Sequence, residues 1–103
     1  MAKRVTWRIP IRLNVKVRSE GRECTATVTN LSEYGMFIST DDSGLCEHSQ
    51  CDIAIPVKEG TLHVPGKLVR RIKVDGGCEG IGIEIIDPPK KYLDYVENLL
   101  YVL

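Results

Sequence analysis

The sequence predicts a mostly β fold, a six-stranded antiparallel barrel followed by one C-terminal α-helix. Three observations carry that prediction. Apolar and polar residues alternate with period two along much of residues 9–86. Turn-forming residues interrupt the alternation about every 8–12 positions, the spacing of small sandwiches and barrels. After Asp87-Pro88-Pro89 the apolar spacing changes to that of a helix. A chain of 103 residues fits one domain spanning 1–103. Within it, residues 1–8 are expected to form a flexible basic arm, 9–86 the barrel and 88–101 the helix.

The first strand is the clearest. Ile9, Ile11, Leu13, Val15 and Val17 alternate with Pro10, Arg12, Asn14 and Lys16, which describes one buried and one wet face. Pro10 donates no ladder hydrogen bond, so it belongs at a strand start or an edge. Gly21-Arg22 reads as a turn, and Cys24–Thr29 as a second strand rich in Thr and Val. Asn30-Leu31-Ser32-Glu33-Tyr34-Gly35 reads as a turn, with Gly35 supplying a positive φ. Met36–Thr40 resumes a strand, and 41–50 is a polar loop. Cys51–Val57 is the fourth strand. Leu62–Val74 is one long strand, or two broken near Pro65-Gly66. Asp75-Gly76-Gly77 is a hairpin signal. In Glu79–Ile86, Ile81, Ile83 and Ile85 share a face, and Gly80 and Gly82 between them suggest a bulge or tight curvature. Asp87 suits a helix N-cap with proline at the first helical position. Leu93, Val96 and Leu100 then recur at i, i+3 and i+7, flanked by Tyr92, Tyr95 and Leu99.

Composition narrows the function. Aromatics make up 6% of residues, so the core rests on Ile, Val and Leu. No apolar run approaches the ~18 residues of a membrane span, and none follows Met1-Ala2-Lys3-Arg4. No secretory leader is expected, and the expected compartment is the cytoplasm, with Cys24, Cys46, Cys51 and Cys78 as thiols. Net charge is zero but polarised. Residues 1–22 hold Lys3, Arg4, Arg8, Arg12, Lys16, Arg18 and Arg22 against Glu20 alone. Residues 41–60 hold Asp41, Asp42, Glu47, Asp52 and Glu59 against Lys58. Such a layout gathers an anion at one end without making a general polyanion binder.

Two local features point to a ligand. Arg4 and Arg8 are four residues apart in Arg4-Val5-Thr6-Trp7-Arg8, just before Ile9-Pro10. A guanidinium grips phosphate with a two-pronged fork, stacks on bases, and matches O6 and N7 of guanine. A solvated tail has the same composition, and Arg12 keeps the same spacing from Arg8, so the spacing alone leaves the register open. The second feature is Asn30-x-Ser32-x-x-Gly35, an ordinary turn by composition that also presents an amide and a hydroxyl.

Together, Arg-x-x-x-Arg before Ile-Pro and Asn-x-Ser-x-x-Gly-Met-Phe-Ile resemble the PilZ family, whose members are receptors for the bacterial second messenger cyclic di-GMP. Gly66-Lys67-Leu68-Val69-Arg70 and Gly80–Asp87 resemble the family's later strands, so the likeness covers most of the chain. The resemblance implies a six-stranded barrel with a closing helix. It implies that Arg4 and Arg8 grip the phosphates and a guanine, because the family's second arginine directly precedes the apolar-Pro pair. It implies that Asn30, Ser32 and Gly35 form the opposite wall. Lys3, Arg12 and Arg70 are expected as further contacts. It also implies no catalysis, no cofactor besides the ligand, and an effector protein that senses ordering of the arm. The chain is expected to be a monomer or weak dimer.

Three other readings remain in view. A PilZ-like module that binds only protein would use apolar residues of the helix. A nucleic-acid-binding barrel is disfavoured by zero net charge and by Trp7 as the sole aromatic in the arm. Cys46-x-His48-x-x-Cys51, with His63 and Cys78, fits no strong zinc spacing, so no metal is expected.

Overall fold

A computed structural model describes residues 8–40, 50–74 and 77–102. Six strands form a closed antiparallel barrel, and one helix follows. The strands are β1 (Ile9–Ser19), β2 (Arg22–Ser32), β3 (Gly35–Ser39), β4 (Gln50–Val57), β5 (Gly60–Val74) and β6 (Gly77–Ile85), and the helix is α1 (Lys90–Val102). Their order around the barrel is β1-β2-β3-β6-β5-β4. Closure comes from β4 pairing back onto β1 at Lys16↔Ala54, Val17↔Ile53 and Arg18↔Asp52.

The alternation read in β1 maps onto the barrel wall. Val15 and Val17 face the core while Arg12, Asn14 and Lys16 are exposed. The register slips between Pro10 and Leu13, next to the residue without an N–H. β1 and β2 are joined by Glu20 and Gly21, with φ 52° and 83°. Two successive positive φ values match the right-handed twist of a two-residue hairpin. β5 runs unbroken through Pro65-Gly66. Asp75-Gly76, the centre of the expected hairpin, lies outside the described residues, as does the loop 41–49.

Leu31, Met36, Ile38, Ile53, Ile55 and Ile81 are fully buried inside the barrel. Removing each from water contributes about 1.5–3 kcal/mol. Cys24 and Cys51 pack against this core as half-buried thiols. Burial first, then the neighbouring Asp52 charge and Cys24, push the Cys51 thiol up to about 11 from 9.0. A raised folded pKa means that the native state holds its proton longer than the unfolded chain. The stability this contributes is complete below pH 9 and disappears as pH rises toward 11. Denaturant midpoints should therefore be level up to pH 9 and fall between 9 and 11, less steeply in Cys51→Ala; a level profile across that window would contradict the assignment.

α1 starts at Lys90, two residues later than expected. Asp87 does not cap it: its φ is 44°, a left-handed turn that redirects the chain after β6. The first helical carbonyl is that of Pro89, which accepts from Tyr92 N at 2.9 Å and Leu93 N at 3.1 Å. Lys90 and Lys91 occupy the first turn, where cations oppose the helix dipole. The Lys90–Asp94 pair, 3.2 Å apart and exposed, offsets little of this. Packing holds the helix instead. The residues it buries are Tyr92 and Val96, with Tyr95 and Leu99 partly covered. Leu100, assigned to the apolar face by spacing, is 46% exposed. No helix among the described residues is long and apolar enough to cross a membrane.

Candidate functional site

The stretch Asn30-x-Ser32 is not a turn but the end of β2. Asn30 pairs with Pro10 of β1 and Phe37 of β3, and Leu31 pairs with Ile9 and Met36. Extended backbone explains the spacing: residues two apart in a strand share a face. Leu31 turns into the core and is fully buried. The turn itself is only Glu33-Tyr34, with Ser32 opposite Gly35.

Gly35 does not supply a positive φ, contrary to expectation. Its role is close approach: a Cβ there would stand 3.0 Å from the backbone carbonyl oxygen of Ile83. Ile85 N donates to the Tyr34 carbonyl at 2.9 Å, so β6 also braces the turn. The Tyr92 hydroxyl donates to the Ser32 carbonyl at 2.7 Å. Tyr92 is fully buried. Burial, with Tyr95 beside it, pushes its phenol above the usual range, and Arg8 pulls in the opposite direction.

Arg8 stands immediately before β1 and is exposed. Its Nη1 donates to Asn30 Oδ1 at 2.8 Å. The two sequence features, 22 residues apart, thus meet in one side-chain contact. Ser32 differs from expectation: it is 2% exposed, and its hydroxyl donates to the Gly35 carbonyl at 3.4 Å across the turn. Arg4 and Lys3 lie outside the described residues. Arg12 is exposed at the β1 irregularity, between Pro10 and Leu13.

Arg70 falls on the same band of the outer wall as Asn30. Asn30 pairs with Phe37, Phe37 with Gly82, and Gly82 with Arg70. The Phe37 ring lies over two glycines: a Cβ at Gly80 would come within 2.7 Å of its Cζ, and one at Gly82 within 3.9 Å of its Cδ1. The strand curvature expected at these glycines is present as register shifts of β5 opposite them. Phe37 thus stands between Asn30 of β2 and Arg70 of β5 in the order of pairing. A separate groove of about 400 Å³ over β1, β2, β4 and β5, past Lys16, Thr25, Ala54 and His63, includes none of these residues. No cluster of three metal-ligating side chains occurs among the described residues, and Cys46 and His48 lie outside them.

Sequence reasoning missed Phe37 and Tyr92. Phe37 was legible only as a strand residue. Tyr92 contacts a carbonyl 60 positions away, which no local spacing reveals.

A closed barrel of this strand order followed by one helix, with an arginine-amide contact at the start of β1, defines the class of domain. The PilZ domain family model matches residues 2–102, and the chain belongs to that family. Solved structures agree in fold. The Bacillus subtilis inhibitor of motility MotI/DgrA matches with a TM-score of 0.72 and 17% identity, covering 98% of this chain and 51% of that one. The PilZ domain of Escherichia coli YcgR, solved with c-di-GMP, matches at 0.71 and 12%, covering 99% and 92%. Borreliella burgdorferi PlzA, in complex with c-di-GMP, matches at 0.66 and 12%, covering 92% and 50%. The chain thus spans about half the length of MotI/DgrA and PlzA. No curated relative matches it.

Proposed function

We propose that this PilZ domain is a receptor for cyclic di-GMP and performs no catalysis of its own. The observation that carries the reading is the Arg8–Asn30 hydrogen bond of 2.8 Å, which joins the two halves of the family motif on one surface. Arg4 and Arg8 grip phosphate and guanine, while Asn30, Ser32 and Gly35 form the facing wall. For Ser32 to contact ligand, its hydroxyl exchanges the long bond to Gly35 for a shorter one. Lys3, Arg12 and Arg70 add positive charge as further contacts. The Phe37 ring offers a guanine a face to lie on. Each charge-assisted hydrogen bond contributes about 1.5–3 kcal/mol. Three or four of them, less the cost of ordering residues 1–8, suit roughly micromolar or tighter binding. Ordering of that arm is the output read by an effector protein.

The test is an amide NMR titration with cyclic di-GMP. Shifts concentrated at residues 3–9 and 30–36 are expected, and an unchanged spectrum at millimolar ligand would refute the receptor. The far end of α1, with Leu100 46% and Tyr101 80% exposed, favours a second reading: a module that engages protein through the helix without nucleotide. It predicts partner binding indifferent to the ligand.

A further inference from the structure

We infer that Tyr92 is a positioning residue for the ligand-binding turn and the link through which occupancy of that turn reaches α1. The inference rests on the receptor reading above, and its core is one contact. A fully buried phenol from the first turn of the helix donates to the Ser32 carbonyl at 2.7 Å. Ser32 lies between the Asn30 amide and the Glu33-Tyr34 turn, so that carbonyl is part of the backbone that aims both.

The geometry assigns this contact more than a packing role. The turn is also held by β6, through Ile85 N on the Tyr34 carbonyl at 2.9 Å and the close approach of Gly35 to the Ile83 carbonyl. β6 thus holds the turn at Tyr34 and Gly35, and the phenol of α1 holds it at the Ser32 carbonyl. Arg8 belongs to the same group. It bonds Asn30, and its charge acts on the Tyr92 phenol. A ligand that draws Arg8 and Ser32 toward its phosphates therefore changes what Tyr92 faces on two sides. Tyr92 has no alternative place: its ring fills the core beside Val96, so a change at its hydroxyl is passed to the first turn of the helix. Coupling of this kind is reciprocal, and whatever fixes the helix also tightens the turn for its ligand.

The test compares the whole chain with Tyr92→Phe, which keeps the ring and removes the hydrogen bond. In the absence of ligand, hydrogen exchange should quicken at the Tyr34 and Gly35 amides in the variant, with Val17 and Ile53 unchanged. With cyclic di-GMP, the wild-type amides of Leu93 and Val96 should shift together with residues 30–36. In Tyr92→Phe the residue 30–36 shifts should remain and the helix shifts vanish, with affinity weakened roughly fivefold. Wild-type exchange rates at the turn in the variant would overturn the positioning role. A helix that stays silent in the wild type, or that still responds in the variant, would overturn the link. Absence of any shift in the wild type would remove the receptor reading and with it the link, while the exchange arm still decides the positioning.

Discussion

Arg8→Ala is expected to bind cyclic di-GMP roughly a hundredfold more weakly than the parent chain in calorimetric titration, without loss of folding. The exposed guanidinium contributes nothing to the core, so its removal leaves thermal stability nearly unchanged. Its hydrogen bond to Asn30 seats it on the barrel wall. Losing two charge-assisted bonds of about 1.5–3 kcal/mol each accounts for a drop of that size or greater. Arg8→Lys should recover only part of it, because an ammonium keeps the charge but lacks the planar fork. Equal affinity in Arg8→Ala and the parent would show that the ligand, if bound, sits elsewhere.

Leu31→Ala should have the largest effect on stability. Leu31 is fully buried, between the two motif residues Asn30 and Ser32. Truncating such a side chain costs about 2–5 kcal/mol through lost transfer energy and the cavity left behind. Domains of this kind have only about 5–15 kcal/mol in total, so the denaturant midpoint should fall steeply, with an unchanged m-value. Since Leu31 anchors the backbone that presents Asn30, affinity for ligand should weaken as well, although the side chain touches no ligand. A midpoint within a few tenths of a molar of the parent would mean that the barrel interior relaxes around the gap.

Much of the architecture is legible in the residues themselves. Period-two alternation marks β1 because one of its faces is wet, and the lone change of period after Pro89 marks α1. The misreadings share a physical cause. Asn30 and Ser32 have turn-forming chemistry, yet pairing with β1 and β3 holds them extended, and tertiary pairing prevails over local preference. Gly35 was assigned the conformational role glycine most often has, whereas it is required for proximity to β6. Spacing puts Leu93, Val96 and Leu100 on the helix face, flanked by Tyr92, Tyr95 and Leu99. The barrel covers Tyr92 and Val96 fully and Tyr95 and Leu99 in part, whereas Leu100 stays exposed. As for the site, its motif residues were readable, while Phe37 over its glycines and Tyr92 over Ser32 depend on strands brought together by closure.

The hydrogen bond between Arg8 and Asn30 also has a spectroscopic consequence. The chain contains a single tryptophan, Trp7, joined by one peptide bond to Arg8. Its indole emission comes from the residue that precedes Arg8 in sequence, far along the chain from the tyrosines of the helix. Selective excitation at the red edge thus isolates the emission of that one residue, and the protein carries its own fluorophore beside Arg8 in the chain.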